Sequence, residues 1–358
     1  MQECKAGSTG RVGRWVRQVV LLTFGMLGAG LGLWAQPQSR SQIPSIFAPE
    51  STPADQLYHL ALFVLAVCAG IFLVVFILLA YSVVKFRQRG DDDGREPAQV
   101  YGSDQLEMAW TVIPVLIVVV LFLTSARVIH SVQDAREPAN AVEVTVVGHQ
   151  FWWEFRYTQY GFTTANELHV PVSDPSHPTP TFLTLLSADT DHSFWVPRLA
   201  GKTDLIPNKV NRTWIDPHNV GLYLGQCAQY CGVEHAKMLL RVYVQPRDQF
   251  DQWVKAQQQP AAVDPPADAI AGRQVFESTA CINCHTIRGT VADGRFGPDL
   301  THLMSRDTLA SGILPNTPQT LQAWISNPDL FKPDCLMPAM NLSDDEWDQL
   351  SAYLVTLR

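Results

Sequence analysis

Two stretches of this chain, Leu57–Val84 and Met108–Ala126, contain no Lys, Arg, Asp or Glu. A helix crosses the hydrocarbon layer of a bilayer in about 20 residues, so each stretch can span one. Inside lipid a backbone must satisfy its own hydrogen bonds, which leaves helices or closed barrels. The chain is thus committed to a two-helix hairpin, with helices at about 57–84 and 108–128. Pro114 lies near the start of the second helix, where it can be accommodated. The intervening loop carries Lys85, Arg87, Arg89 and Arg95, against which Asp91, Asp92 and Asp93 count little. Positive charge marks the cytoplasmic side. Both ends of the hairpin therefore face outward, with everything after about residue 131 beyond the membrane.

The N-terminus resembles a secretory signal. Lys5, Arg11, Arg14 and Arg17 precede the apolar run Val19–Leu33, and cleavage after Ala35 would end a segment 1–35. The alternative is a retained third helix, for which the Gly-rich run is short. Apolar residues make up 47% of the chain and charged residues 17%, as a partly membrane-embedded protein requires. A net charge of −8 with no long basic run argues against nucleic acid as a partner.

Beyond the hairpin (36–130) the pattern shortens. Val142–Val147, Glu154–Tyr157, Thr181–Leu186 and Leu239–Val244 are β-prone runs separated by Pro and Gly, as in a β-sandwich or small barrel spanning 131–256. Residues 257–268 form a Pro/Ala/Gln linker, expected to be extended and semi-stiff. From 269 to 358 the reading is helical at both ends. Ala271–Ser278 opens the region, and Ser343 with Glu346 forms a capping box before a closing helix.

Two constellations carry chemistry. Cys227, Cys231, His235 and Met238 lie within twelve residues, a soft donor set that selects copper. His192 upstream can supply a second imidazole. The competing reading pairs Cys227 with Cys231 in a disulfide, which an exported compartment permits. The second constellation is Cys281-Ile-Asn-Cys284-His285, the pattern of covalent c-type haem attachment. Of the other cysteines, Cys4 and Cys68 do not look like a disulfide pair, and Cys335 is a free thiol without an assigned role.

The copper run, with Gly148-His-Gln-Phe-Trp-Trp153, Phe194-Trp-Val-Pro197, Ala200–Pro207 and Gly221–Cys227, resembles the Cu-A subunit, subunit II, of cytochrome c oxidase over about residues 50–250. The resemblance implies a cupredoxin-like sandwich. It also implies a binuclear copper bridged by Cys227 and Cys231, with His192, His235, Met238 and the carbonyl of Gln229 as further ligands. The family commonly has Glu at 229, which helps bind magnesium beside subunit I, so Gln229 puts that ion in doubt. The aromatic after His149-Gln150 is commonly Trp, the electron acceptor from soluble cytochrome c. Here Phe151 takes that place, followed by Trp152 and Trp153, and core packing is the alternative role for these rings. Glu107, four residues into Asp104-Gln-Leu-Glu-Met-Ala-Trp110, matches a glutamate at the mouth of a proton channel.

The C-terminal region resembles a class I cytochrome c, an all-α fold. Gly297-Pro-Asp-Leu300 matches the loop whose proline carbonyl, here Pro298, orients the haem histidine. Lys332-Pro-Asp-Cys-Leu-Met337-Pro matches the axial-methionine loop, with Asp334 in place of Gly. Met337 is favoured over Met340, with Met304 and His302 behind them.

The whole resembles subunit II of a caa-type oxidase, a multidomain membrane protein with a fused cytochrome c. The resemblance implies subunits I and III as partners, an upstream cytochrome or other reductant, and a place in the bacterial inner membrane with both redox domains outside. Electrons would pass from haem c to Cu-A and on to haem a of subunit I. There oxygen is reduced with proton pumping, so this subunit belongs to the enzyme without hosting its oxygen chemistry. The same subunit type serves nitric oxide reductases, and a copper-delivery protein is the rival of another class. A quinol-oxidase subunit is disfavoured because that branch lacks the copper ligands.

Overall fold

The computed structural model describes residues 44–87, 99, 101–174, 176, 178–261, 266–267 and 269–358. The candidate signal segment 1–35, Cys4, the loop charges Arg89, Arg95 and Asp91, Asp92 and Asp93, and linker residues 262–265 and 268 lie outside the described residues.

The two apolar stretches form α1 (Thr52–Lys85) and α2 (Asp104–Gln133). Both run past the uncharged stretches, because their polar end turns continue the helix. Pro53 opens α1, where a missing N–H costs nothing. The helices pack on each other, and the apolar side chains along them face outward. Both are long and apolar enough to cross a membrane. Their outer ends are tied to the domain that follows. Trp214 Nε1 donates to Val132 O at 2.8 Å, and Arg198 pairs with Glu50 at 2.7 Å.

That domain is a sandwich of two five-stranded sheets. The first contains β1 (Val142–His149), β2 (Trp152–Tyr157), β3 (Phe162–Ala165), β5 (Thr181–Ser187) and β8 (Asn211–Ile215), in the order β3-β2-β1-β5-β8. The second contains β4 (Glu167–Pro171), β6 (His192–Trp195), β7 (Thr203–Leu205), β9 (Gly221–Cys227) and β10 (Leu239–Gln245), in the order β4-β10-β9-β6-β7. β1 and β5 run parallel, as do β4 and β10. The period-2 alternation of β10 buries Leu240, Val242 and Val244 against Val144, Phe155 and Leu185 of the facing sheet. Each such side chain stabilises the fold by about 1.5–3 kcal/mol of transfer free energy. Helix α3 (Arg247–Gln257) closes one end with Phe250 and Val254.

The last region is helical. α4 (Ile270–Ser278) crosses α7 (Asp344–Leu354) so closely that a Cβ on Gly272 would lie 1.8 Å from Gln349 O. Between them come the short turn α5 (Cys281–Cys284) and α6 (Pro318–Ser326). Ser343 accepts from the Glu346 N–H and the Glu346 carboxylate returns the bond, the reciprocal cap that starts α7. One feature departs from a purely helical reading. β11 (Thr308–Leu309) pairs with β12 (Leu314–Pro315) across a turn in which Ala310, Ser311 and Gly312 take positive φ.

The described start of the linker, 257–261, departs from a free spacer. Gln257 and Ala261 are buried, and Arg288 donates to the carbonyls of Gln257 and Gln259. His302 Nε2 lies 3.0 Å from Gln259 O. The reason is that a Pro/Gln-rich segment still offers backbone acceptors, and donors of the cytochrome region, the half-buried Arg288 and the buried His302, take them.

Candidate metal centre and haem cavity

The sandwich brings one end of each of three strands together. His192 is the first residue of β6 and Cys227 the last of β9, and these strands pair with Phe194 opposite Cys227. Met238 directly precedes β10, and the Cys227 N–H donates to its carbonyl at 3.0 Å. The intervening loop is therefore pinned at both ends. Cys227 Sγ and Cys231 Sγ lie 3.9 Å apart, too far for a disulfide. His192 Nδ1 is 4.0 Å from Cys227 Sγ, and His235 Nδ1 is 3.7 Å from Cys231 Sγ. Met238 Sδ is 3.9 Å from Cys231 Sγ, and Gln229 O is 3.1 Å from Cys227 Sγ. Both thiols, His192 and Met238 are buried.

The ligand atoms of His192, Cys227 and Cys231 lie within 4.8 Å of one another, close enough to share a cation. Hydrogen bonding from Cys231 holds the Cys227 thiol well below its usual range, and the same contact pushes Cys231 up. The pair shares a proton, because two adjacent buried thiolates repel. Both ionise together only when a cation neutralises them. His192 Nε2 is 2.7 Å from the Asp189 carboxylate, which fixes the N–H there and leaves the Nδ1 lone pair toward the sulfurs. Burial works against charge on His192, but Asp189 and Cys227 outweigh it and raise its pKa. Neither Asp189 nor Gln150, whose Nε2 donates to Cys231 O at 2.6 Å, stood out in the sequence. Gln150 lies inside a quoted motif and Asp189 three residues before His192, and both could have been found only by asking what orients the ligands.

The aromatic run divides between the sandwich interior and a cavity. Trp153 is fully buried beneath the cluster, with Nε1 3.4 Å from Met238 O and its ring edge-on to Phe194. Phe151 and Trp152 instead face a cavity of about 210 Å³. That cavity is lined by Cys281, Cys284, His285, Met337 and Met340, but not by His302 or Met304.

His285 Nδ1 is 2.7 Å from Pro298 O. A carbonyl only accepts, so the proton sits on Nδ1 and Nε2 is free to ligate. Burial lowers the His285 pKa and keeps the ring neutral. A Cβ on Gly297 would come within 2.6 Å of His285 Cε1, so Gly is required where the loop backs the ring. Arg306 Nε is buried without a partner among the described residues, on the wall of the same cavity. A planar apolar cofactor with anionic substituents fits this lining. Elsewhere, Glu107 sits in the first turn of α2, and Cys335 lines the cavity as a free thiol.

Residues 41–128 match the family described as cytochrome C oxidase subunit II, transmembrane domain. Residues 166–244 match its periplasmic domain, and 269–358 match cytochrome c. A cytochrome c oxidase subunit 2 of Alkalihalophilus pseudofirmus is 35% identical over 318 residues, covering 87% of this chain and 90% of that one. Its counterpart in Bacillus sp. (strain PS3) is 32% identical over 355 residues, covering 94% and 96%. Among solved structures, the periplasmic domain of subunit II of cytochrome oxidase (CoxB) of Bradyrhizobium japonicum is 27% identical, with 34% of this chain and 96% of that one covered and a TM-score of 0.31. The subunit II domain implies Cu-A copper and the cytochrome domain implies haem c, and the clusters above fit both groups. The chain therefore belongs to the cytochrome c oxidase subunit 2 family, as a membrane subunit with a periplasmic domain, a fused cytochrome c and an electron-transfer role beside subunit I of the oxidase.

Proposed function

We propose that this subunit relays electrons singly from an external donor through haem c and Cu-A to haem a of subunit I, where oxygen is reduced to water with proton pumping. The observation that carries this reading is the convergence of six donor groups beside a c-type haem cavity on one anchored chain. When bound, the copper pair and the haem iron each supply a one-electron couple.

The residues of the chain bind and insulate these couples. Cys227, Cys231, His192, His235, Met238 and the Gln229 carbonyl would hold the copper pair. Burial of Cys227, Cys231, His192 and Met238 shields most of the donor set from water. Gln229 offers magnesium a neutral amide where a carboxylate would suit it. Cys281 and Cys284 would attach the haem, His285 and Met337 would hold its iron, and Pro298 orients His285. Phe151 lies between the two sites, with its ring within van der Waals reach of Gly232 and its carbonyl turned to the cytochrome domain. Trp152 flanks the cavity and Trp153 supports the copper loop. Both helices cross the bacterial inner membrane, with domains 131–256 and 269–358 on the periplasmic face. Glu107 sits at the cytoplasmic edge, where it can deliver protons toward subunit I, and subunit III completes the complex.

Paramagnetic resonance and optical spectra of the purified full-length chain test the reading. A mixed-valence dicopper signal together with a low-spin c-type haem is expected. A mononuclear copper signal, or no copper signal after loading, would overturn it.

A further inference from the structure

Where the cytochrome region meets the copper region, two of the facing loops each carry a proposed metal ligand. On the copper side is the loop from Ala228 to Met238, and on the haem side the segment from Phe331 to Met337. Lys237 Nζ donates to Phe331 O at 2.9 Å and pairs with Glu234 Oε1 at 3.3 Å. Lys332, only 4% exposed, donates from Nζ to Phe151 O at 2.8 Å. Ser311 Oγ donates to the same carbonyl at 2.9 Å. The Phe151 ring in turn lies against Gly232, where a Cβ would come within 2.9 Å of it. Gly232 directly follows Cys231. A short chain of contacts thus runs from the methionine loop to a copper thiol.

Burying an ammonium is costly, and an apolar side chain would fill the space more cheaply. Its hydrogen bond to one named carbonyl instead fixes a register. We propose that Lys332 and Lys237 are positioning residues for haem-to-copper electron transfer, pinning the Met337 loop onto the copper loop in a single orientation. This rests on the electron-relay reading above. In the step concerned, one electron leaves ferrous haem c, which becomes ferric, and the oxidised copper pair is reduced by one. No proton moves, and an external one-electron donor re-reduces the haem.

The test is photoreduction of haem c in the full-length, copper-loaded protein, timing the arrival of the electron at copper. Lys332→Gln and Lys237→Gln should each slow the step by at least about tenfold, because small displacements of a positioned pair cost rate steeply. The haem–methionine absorption and the dicopper resonance should stay as in the parent. Lys237→Arg, which keeps the charge and the donor, should restore the rate. Unchanged rates in both Gln variants would overturn the positioning role while leaving the relay intact. Loss of the haem–methionine band would also overturn it, since the lysines would then act on haem ligation. Absence of haem-to-copper transfer in the parent protein would instead sink the relay reading.

Discussion

At the residue scale the copper loop depends on groups that are not ligands. Asp189 holds His192 through Nε2 and also accepts the Gln150 N–H at 2.7 Å. Asp189→Ala should weaken copper binding by about 10–100-fold, as other outer partners of ligating histidines do, and chelator competition measures it. His169 shows the opposite kind of histidine. It is stacked between Tyr243 and Trp253, at 4.7 and 4.2 Å, and burial pushes its pKa down to about 4. The unfolded chain takes up that proton near 6.5, so the unfolded state binds more protons between the two values. Stability contributed by neutral His169 is complete above that window and is lost as the pH falls through it. The copper domain should melt at lower temperature as the pH drops from 6.5 toward 4, and His169→Gln should flatten that dependence.

At the element scale, patterns dominated by one repeating demand were legible. The uncharged runs became α1 and α2, lengthened by their polar end turns, and the alternating runs became β1, β2, β5 and β10, each strand extended by a residue or two where hydrogen bonding continued. The capping box at Ser343 starts α7. The two-residue strands β11 and β12 were not legible, because a turn of three positive-φ residues leaves no periodicity to read. Gly272 marks a contact that no local pattern announces. Gly272→Ala would drive a methyl into the Gln349 carbonyl and force α4 off α7. Overpacking of this kind costs about 1–3 kcal/mol or more, and the melting temperature of the cytochrome domain should fall accordingly.

At the scale of the whole molecule, the two redox regions are joined by buried polar contacts. The Glu167 carboxylate, at the start of β4, accepts from Thr308 N at 2.9 Å, Thr308 Oγ1 at 2.8 Å and Asp307 N at 3.1 Å. Tyr243 OH donates to Asp307 at 2.6 Å nearby. Glu167→Ala would strand these donors, costing about 1–3 kcal/mol for a buried unpaired group. Amide hydrogen exchange at 307 and 308 should accelerate, while Glu167→Gln, which keeps one acceptor oxygen, should leave only one of the two amides protected. Protection unchanged in the Ala variant would mean that this contact does not hold the regions together.

The sequence by itself determined the hairpin and the sandwich class, and it singled out the donor side chains proposed as ligands. Each rests on a local rule: uncharged length, period-2 alternation, and donor types clustered within a loop. Only the tertiary structure decided which groups orient those donors and how the two redox regions face each other. Asp189, Gln150, Lys332 and Glu167 are ordinary polar residues in sequence. Their roles come from partners up to 181 positions away, as in the bond from Lys332 to Phe151. A hydrogen bond across that separation exists only once the intervening chain has folded, so no window along the sequence contains it.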